Sequence, residues 1–355
     1  MGSRSISAME GLGPTPLLEG SQRTRSTRGH AWRAGLFLVY TVVALVVAVG
    51  ALSATSGQEE KDGIASLVRG TAHRPYIYRQ LVPAFIRVLQ SPWPEEQWDR
   101  LGQRMADAGV VHYLERATNI RYGWWRPQDL PVVVLGGLIN IFSVLGFLYA
   151  FRALLKNQLR APDVFYDAVP AVTIYATVFM NQFGVYSYDY PQLALFTTGL
   201  WLLARRSWTL FYPLLTIAMI NKETSVLLIV VFIVAYWRKM RVRATATHLA
   251  WQCALAGAVI VVVRSLFAGS PGQGVERHLF DHNIGFLLNP SDDYGVLAAI
   301  VVFGGLFARD WHQKPDFLRR ASIIFCPLVI LTFLFGWINE LRDFYEFYVI
   351  AAALC

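Results

Sequence analysis

Charged residues are scarce in this sequence: they make up 16% of its 355 residues, whereas soluble domains carry about 25%. Hydrophobic residues reach 55%, and the mean hydropathy is +0.39. This composition argues against a pair of soluble domains, which the length alone favours. A backbone in lipid must satisfy its own hydrogen bonds, so the repeated apolar runs predict an all-α fold. We expect a polytopic integral membrane helical bundle with about nine or ten transmembrane helices.

Cysteine is also rare, and the common catalytic motifs are missing. The three cysteines, Cys253, Cys326 and Cys355, each lie in an apolar stretch, which favours buried thiols over disulfides or a metal site. The sequence contains no Walker loop, dinucleotide fingerprint, serine triad or zinc motif. No metal-ligand set is therefore predicted. A divalent cation beside the acidic residues described below is the one cofactor that the sequence leaves open.

The basic residues do not form one patch, although the net charge is +8. They occur in short clusters between apolar runs, such as Arg238, Lys239, Arg241 and Arg243. This pattern is typical of loops on the cytoplasmic side of a membrane, in contact with anionic lipid. We therefore predict an integral protein of the plasma (inner) membrane with a cytoplasmic N-terminus. Membrane lipids are its expected partners, and nucleic acid is not.

The chain divides into two parts. Residues 1–30 are rich in Gly, Ser, Pro and Arg and show no hydrophobic periodicity, which predicts a disordered basic cytoplasmic tail. Residues 31–355 form the predicted transmembrane domain, whose first span covers residues 34–52. A cleaved signal peptide is the rival interpretation of that span, but its apolar run is longer than a typical signal-peptide core. Residues 54–130 then form the predicted first extracytoplasmic loop.

Two stretches of this loop are amphipathic, and one later span is interrupted. Residues 76–89 and 95–117 have apolar faces but are too polar to span, so we expect helices that lie in the membrane interface.

Residues 210–237 are interrupted by polar residues at Asn221. We predict two short helices that meet at Asn221, because this keeps the following basic cluster on the cytoplasmic side, whereas one long helix does not.

Charged residues on the predicted outer side are the first candidates for a functional site. Asp62 follows the first span, and Glu60 lies two residues before it. The pair belongs either to a solvated acidic loop or to an active site, where Asp62 is a general base or a metal ligand. Arg74 and Arg79 flank a string rich in tyrosine. Interfacial anchoring explains the tyrosines, whereas the two guanidinium groups are suited to binding a phosphate.

A second group of candidates lies near the ends of later spans, where charges are costly and usually functional. Asp189 is either a helix N-cap or a ligand for a sugar hydroxyl or a cation. Lys222 and Glu223 either plug a helical hairpin or bind substrate where two half-span helices end. Glu340 and Arg342 belong either to a self-neutralising loop or to a contact with an anionic headgroup.

This layout resembles the GT-C class of polytopic membrane glycosyltransferases. That class carries an acidic residue in a first extracytoplasmic loop beside helices that lie on the membrane, and Asp62 with residues 76–117 matches it. Glu60-x-Asp62 is an approximate form of an acidic diad of that class. The strings at 74–83, 221–224 and 339–342 are also similar to those of a broad group of uncharacterised bacterial membrane proteins. The likeness covers most of the chain from the first helix onward.

The resemblance implies transfer of a sugar from a polyprenyl-phosphate donor to an acceptor on the extracytoplasmic face. Asp62 would deprotonate the acceptor hydroxyl. The leaving lipid phosphate would be stabilised by Arg74, Arg79, Lys222 or Arg342. Two other functions stay open. A transporter or flippase of a lipid-linked or anionic substrate would use the same charges, and in a non-catalytic membrane scaffold they would only join helices.

Overall fold

A computed structural model of the chain describes residues 17–53, 59–118, 126–180, 185–288 and 294–355. Within these residues the secondary structure is helical and contains no strand, which confirms the all-α prediction. The α-helices of the described residues are α1 (Leu17–Ser53), α2 (Glu59–Asp62), α3 (Ile64–Arg69), α4 (Leu81–Gln90), α5 (Glu95–Asp107), α6 (Val110–Thr118), α7 (Leu130–Gln158), α8 (Asp163–Met180), α9 (Asp189–Ala204), α10 (Trp208–Asn221), α11 (Leu227–Tyr236), α12 (Val242–Leu266), α13 (Ile284–Leu288), α14 (Tyr294–Ala308), α15 (Asp316–Ala321), α16 (Phe325–Phe335) and α17 (Tyr345–Leu354).

Several of these helices are suited to a membrane. A bilayer core about 30 Å thick needs about 20 apolar residues in a helix that crosses it. The outward face of α12 carries exposed apolar side chains, including Trp251 and Leu266, and such a surface is stable against lipid rather than water. These features support a membrane-associated chain. Four segments of the described residues are long and apolar enough to cross: His30–Ala51, Pro127–Gln158, Val242–Leu266 and Asp316–Phe335.

The core forms around α7 and α9, which pack against each other more extensively than any other pair of described elements. Phe147 and Phe151 of α7 are one turn apart and fully buried, with ring centroids 5.4 Å apart. Phe196 of α9 is buried in the same apolar cluster. Helices α1 and α8 cover α7, and there the Tyr40 hydroxyl donates to the Asp167 carbonyl at 3.0 Å. This core holds the helix ends that carry the charged residues.

The predicted pair of short helices is confirmed. Helix α10 ends at Asn221, Lys222 is extended, and a 3-10 turn (Glu223–Val226) leads into α11. Trp208, at the start of α10, packs edge-on against Tyr236 at the end of α11, with ring centroids 5.4 Å apart. The two helices therefore form an antiparallel hairpin, and the polar interruption lies at its tip.

Basic residues next to α11 and α15 lie together at the end of the hairpin that is opposite its tip. Lys239, just after α11, pairs with Asp316 at the start of α15, with 2.5 Å between Nζ and Oδ2. Lys314, just before α15, donates to the carbonyl of Leu354 at the end of α17. We call this region, where Lys239, Lys314 and Asp316 meet, the basic end.

The amphipathic stretches of the first loop are helical, but each is divided. Residues 76–89 form a 3-10 turn (Tyr76–Tyr78) and then α4. Pro83 lies in the first turn of α4, where its missing N–H costs nothing, and this limits how early that helix can begin. Residues 95–117 form α5 and α6, which are separated at Gly109. Its φ of +76° is left-handed and ends a helix at little cost only for glycine.

Two predictions need correction. Helix α1 begins at Leu17, so the predicted disordered tail, residues 1–30, is helical from residue 17 onward; residues 1–16 lie outside the described residues. A helix already nucleated in the apolar span gains one hydrogen bond for each added residue, which favours this extension. Cys253, Cys326 and Cys355 are exposed rather than buried. In a membrane protein the outward face of a helix is itself apolar, so an apolar neighbourhood does not predict burial.

Gly102 sets the distance between α5 and the start of α7. An added Cβ would lie 2.3 Å from the Pro127 carbonyl oxygen, a backbone atom that cannot rotate away. We expect Gly102→Ala to lower the stability by about 1–3 kcal/mol, as overpacking does elsewhere, and to lower the apparent melting temperature in detergent. Gly137→Ala on α7 is the matched control, because nothing lies within 4 Å of its added Cβ. Equal melting temperatures for the two variants would contradict this packing.

Candidate functional site

Five chain segments that are distant in sequence come together at one place in the bundle. They are α2, the residues after the 3-10 turn Tyr76–Tyr78, the turn before α9, the tip of the α10–α11 hairpin, and a 3-10 turn formed by Leu341–Phe344. Ion pairs and electrostatic contacts link their charged side chains. We call this group the charged cluster: Asp62, Arg79, Asp189, Lys222, Glu223, Glu340, Arg342 and Asp343.

Asp189 lies between two cations of the cluster. Its side chain is 1% exposed, with Oδ1 3.9 Å from Lys222 Nζ and Oδ2 3.9 Å from an Nη of Arg342. It is the first residue of α9, and Oδ2 accepts the N–H of Tyr186 at 2.9 Å, so the carboxylate bonds back to the preceding turn. Direct bonds between an N–H cation and a carboxylate measure about 2.7–2.9 Å. Lys222 and Arg342 therefore attract the Asp189 carboxylate electrostatically, without a direct hydrogen bond to it.

Tyrosines hold Arg79 in place. Its guanidinium donates to the Tyr188 hydroxyl and lies over the Tyr188 ring, 4.3 Å from the centroid. The Tyr76 ring lies on another side, at 5.4 Å. Glu223, at the hairpin tip, is the carboxylate with the strongest electrostatic effect on Arg79. Cation–π contacts fix the position of a guanidinium without neutralising it, so Arg79 keeps a full positive charge in the cluster.

Tyr186 lies between Arg342 and Asp62. The guanidinium carbon of Arg342 is 4.1 Å from the Tyr186 ring centroid, and Arg342 also pairs with Glu340. Burial raises the pKa of the Tyr186 phenol, Arg342 lowers it, and the Asp62 charge raises it. Asp62 is only 6% exposed. Its carboxylate is therefore close enough to the cluster to act on it electrostatically.

The cluster contains five carboxyl groups and three cations. Glu340 pairs directly with the Arg342 guanidinium. Carboxyl groups therefore outnumber the cations with which they share the cluster: Asp62, Asp189, Glu223, Glu340 and Asp343 against Arg79, Lys222 and Arg342.

Arg74 contacts a neighbouring loop and not the charged cluster. Its guanidinium donates to the carbonyls of Ala268 at 3.2 Å and Gly272 at 2.7 Å. Its backbone N–H donates to the Pro271 carbonyl at 2.8 Å. These bonds direct Arg74 towards the loop after α12. The structure therefore separates Arg74 from Arg79, which the sequence had grouped as phosphate ligands.

The same loop is bound by two further residues of the segment between α1 and α7. The Tyr76 hydroxyl donates to Glu276 at 3.2 Å, and Lys61 pairs with Glu276 at 3.1 Å. Tyr76 also lies against Tyr186, with ring centroids 5.4 Å apart. The loop formed by residues 267–278 is thus fastened directly beside the charged cluster.

A buried polar network under the cluster was not predicted from the sequence. The Asn221 amide donates to the Tyr188 carbonyl at 3.0 Å and to Gln192 at 3.2 Å. Gln192 in turn donates to Ser225 at 3.0 Å and to Glu346 at 3.1 Å. Gln192 and Glu346 are each 1% exposed. The available signal was that each is an isolated polar residue in an apolar run, which is costly in lipid without a partner.

Seven of the nine residues predicted from the sequence belong to the charged cluster, and Glu60 and Arg74 are the exceptions. The side chain of Glu60 lies outside the described part of the structure. Among the residues that are described, no group of three or more His, Cys, Asp or Glu is arranged to hold a metal ion. Comparison with known proteins finds no matching family model, no matching curated protein and no matching solved structure.

Proposed function

We propose that this protein transfers a sugar from a polyprenyl-phosphate donor to an acceptor on the extracytoplasmic side of a membrane, in the manner of GT-C class glycosyltransferases. The observation that carries the proposal is the charged cluster, where Lys222 and Arg342 face one buried carboxylate and Asp62 lies within electrostatic reach. One buried polar pair is sufficient to join two helices. Eight charges from five segments are better explained by a site that binds and converts a charged substrate.

The proposed placement in the membrane puts the basic end in the cytoplasm, because basic residues are enriched in cytoplasmic loops. The N-terminus is then cytoplasmic as well, and the charged cluster faces the extracytoplasmic side of the plasma membrane. Ten crossings follow if each of the longer helical segments passes from one side to the other. These segments are α1, α7, α8, α9, α10, α11, α12, α14, α15 with α16, and α17.

The helices that connect the charged cluster to the basic end are short. Trp208–Asn221, Glu223–Tyr236 and the consecutive segments Leu341–Phe344 and Tyr345–Leu354 each contribute fourteen residues, which rise about 21 Å. The hydrocarbon core is about 30 Å thick. These helices are therefore shorter than the hydrocarbon core, and we place the cluster below the extracytoplasmic boundary. A sugar on a lipid phosphate reaches this depth from within the bilayer, which favours a lipid-linked donor over a water-soluble one.

The proposed reaction moves one proton and breaks one bond. The acceptor hydroxyl gives its proton to the Asp62 carboxylate, and its oxygen bonds to the anomeric carbon of the sugar. The bond between that carbon and the phosphate oxygen breaks, and its electron pair leaves with the polyprenyl phosphate. The phosphate gains one negative charge in this step, so Lys222 and Arg342 stabilise the transition state more strongly than the bound donor.

Glu340 competes with the donor for Arg342. Its carboxyl group pairs directly with the Arg342 guanidinium, so a donor phosphate that binds Arg342 has to displace it. We expect Glu340→Gln to lower the dissociation constant of a polyprenyl-phosphate sugar, because glutamine carries no charge that competes for the guanidinium. An unchanged or higher dissociation constant in this variant would show that Glu340 does not compete with the donor.

The test uses the purified chain in nanodiscs with a panel of radiolabelled polyprenyl-phosphate sugars. Transfer of label to an acceptor in a membrane extract supports the proposal. If liposome-reconstituted protein moves the intact donor between leaflets without transfer, the protein is a transporter or flippase. If it binds no donor and moves none, the cluster is a structural contact of a scaffold. The second and third outcomes each overturn the proposed function.

A further inference from the structure

A second feature of the molecule lies at the basic end and shares no residue with the charged cluster. It is a cavity of about 420 Å³ between α11, α14, α16 and α17. Its wall is largely apolar and includes four aromatic residues; the Phe347 ring lies 4.6 Å from that of Phe325 and 5.7 Å from that of Phe307. Cys326, next to Phe325, also lines it and is exposed. The apolar part of the cavity wall therefore suits a hydrocarbon chain.

Arg319 and Arg320 of α15 line the mouth of this cavity. Both pair with Asp316, at 3.3 and 3.0 Å, and Lys239 pairs with the same carboxylate at 2.5 Å. Three cations thus share one negative charge. Each guanidinium has five N–H donors, and the two arginines are 29% and 41% exposed. The mouth therefore has surplus positive charge and donors for an anion.

Along α15 and α16 the charged and apolar residues of the cavity follow each other in the same order as the headgroup and the acyl chains of a phospholipid. Asp316 begins the membrane-length segment Asp316–Phe335, and Phe325 lies nine residues, about 14 Å, further along it. A headgroup at Arg319 and Arg320 would place acyl chains at the level of Phe325. Basic pockets between helices on the cytoplasmic side bind anionic headgroups in this way. A free phosphate would bind the arginines without contacting the apolar wall of the cavity, so the cavity favours a phospholipid over a free phosphate.

We propose that this cavity binds one anionic phospholipid, with its phosphate on Arg319 and Arg320 and its acyl chains against Phe307, Phe325 and Phe347. The site is independent of the charged cluster and of the reaction proposed there. Its occupant is a lipid of the leaflet at the basic end.

The first experiment uses Cys326 as a probe in the detergent-purified chain. Phosphatidylglycerol is titrated in, and alkylation of each cysteine by a maleimide is followed by peptide mass spectrometry. We expect phosphatidylglycerol to slow the alkylation of Cys326 by about tenfold, as binding at about ten times its dissociation constant requires. Cys253 on α12, exposed but outside the cavity, should not change. Equal protection by phosphatidylcholine, or protection by inorganic phosphate alone, would overturn the proposal.

The second experiment removes the positive charges at the mouth. Arg319→Gln with Arg320→Gln leaves Lys239 as the partner of Asp316, so no carboxylate is stranded. We expect the phosphatidylglycerol concentration for half-protection of Cys326 to rise about 25-fold, because each arginine near the surface contributes a factor of about five. The matched control is Arg241→Gln with Arg243→Gln, two exposed arginines at the same end that do not line the cavity. An unchanged midpoint in the first pair, or an equal shift in the control pair, would exclude the arginines as the headgroup site.

Discussion

Asp62→Asn is expected to reduce sugar transfer by about 10²–10⁴-fold, the usual contribution of a general base. Asparagine has nearly the same shape as aspartate but cannot accept the proton of the acceptor hydroxyl. In the proposed complex the donor phosphate is held by other residues of the charged cluster, so donor binding should stay the same. The measurement is single-turnover transfer from a radiolabelled polyprenyl-phosphate sugar, with donor binding measured separately on the same preparation.

Asp99→Asn is the control for this result. Asp99 is an exposed carboxylate of α5, in the same segment between α1 and α7, and its neutralisation should leave transfer unchanged. Equal losses in the two variants would point to a general effect of negative charge on the loop. Wild-type transfer by Asp62→Asn would exclude Asp62 as the base while leaving the phosphate site untouched.

Lys222→Met is expected to weaken donor binding by about 30- to 1,000-fold, which corresponds to about 2–4 kcal/mol for one partner of a buried charge contact. Lys222 is 3.9 Å from Asp189, and in the proposed complex it also neutralises the phosphate. Methionine preserves the length and apolar stem of the side chain, so the change isolates the ammonium group. Binding is measured by titrating a fluorescent polyprenyl-phosphate sugar into nanodiscs.

The same change also leaves Asp189 with Arg342 as its nearest cation, which lowers stability as well as binding. Lys222→Met combined with Asp189→Asn separates the two effects, because it removes both members of the pair. We expect this double variant to regain thermal stability but not donor binding. Recovery of both would make the pair a structural contact between helices and would refute its role in binding the donor. Lys222→Arg, which keeps the charge, should retain most of the affinity.

The hairpin of α10 and α11 shows how far local sequence can predict this fold. Three polar residues interrupt an apolar run at Asn221, and charges in lipid are tolerated only at helix ends or in paired positions. The interruption was therefore predicted to be a helix end, because this keeps the following basic cluster on the cytoplasmic side, and the charges at its tip became candidate site residues. The breaks at Pro83 and Gly109 follow equally local rules of backbone conformation.

Local sequence could not predict that Arg74 and Arg79 bind different parts of the structure. The two arginines lie five positions apart in one string and have the same chemistry. Arg74 bonds to carbonyls almost two hundred positions away, at 268 and 272, whereas Arg79 bonds to Tyr188. Gln192 and Glu346 likewise contact each other across 154 positions. No pattern within either segment distinguishes these partners from others.

The sequence by itself determined the all-α class, the apolar segments suited to a membrane, and the helix ends at which charges accumulate. Each of these depends on hydropathy and backbone preference, which act over a few neighbouring residues. Only the tertiary structure decided that Asp62, Asp189, Lys222 and Arg342 share one cluster, that Arg74 does not, and that Arg319 and Arg320 open onto a largely apolar cavity. The reason is that an ion pair needs two side chains within about 4 Å, and that distance is set by how distant helices pack around α7 and α9.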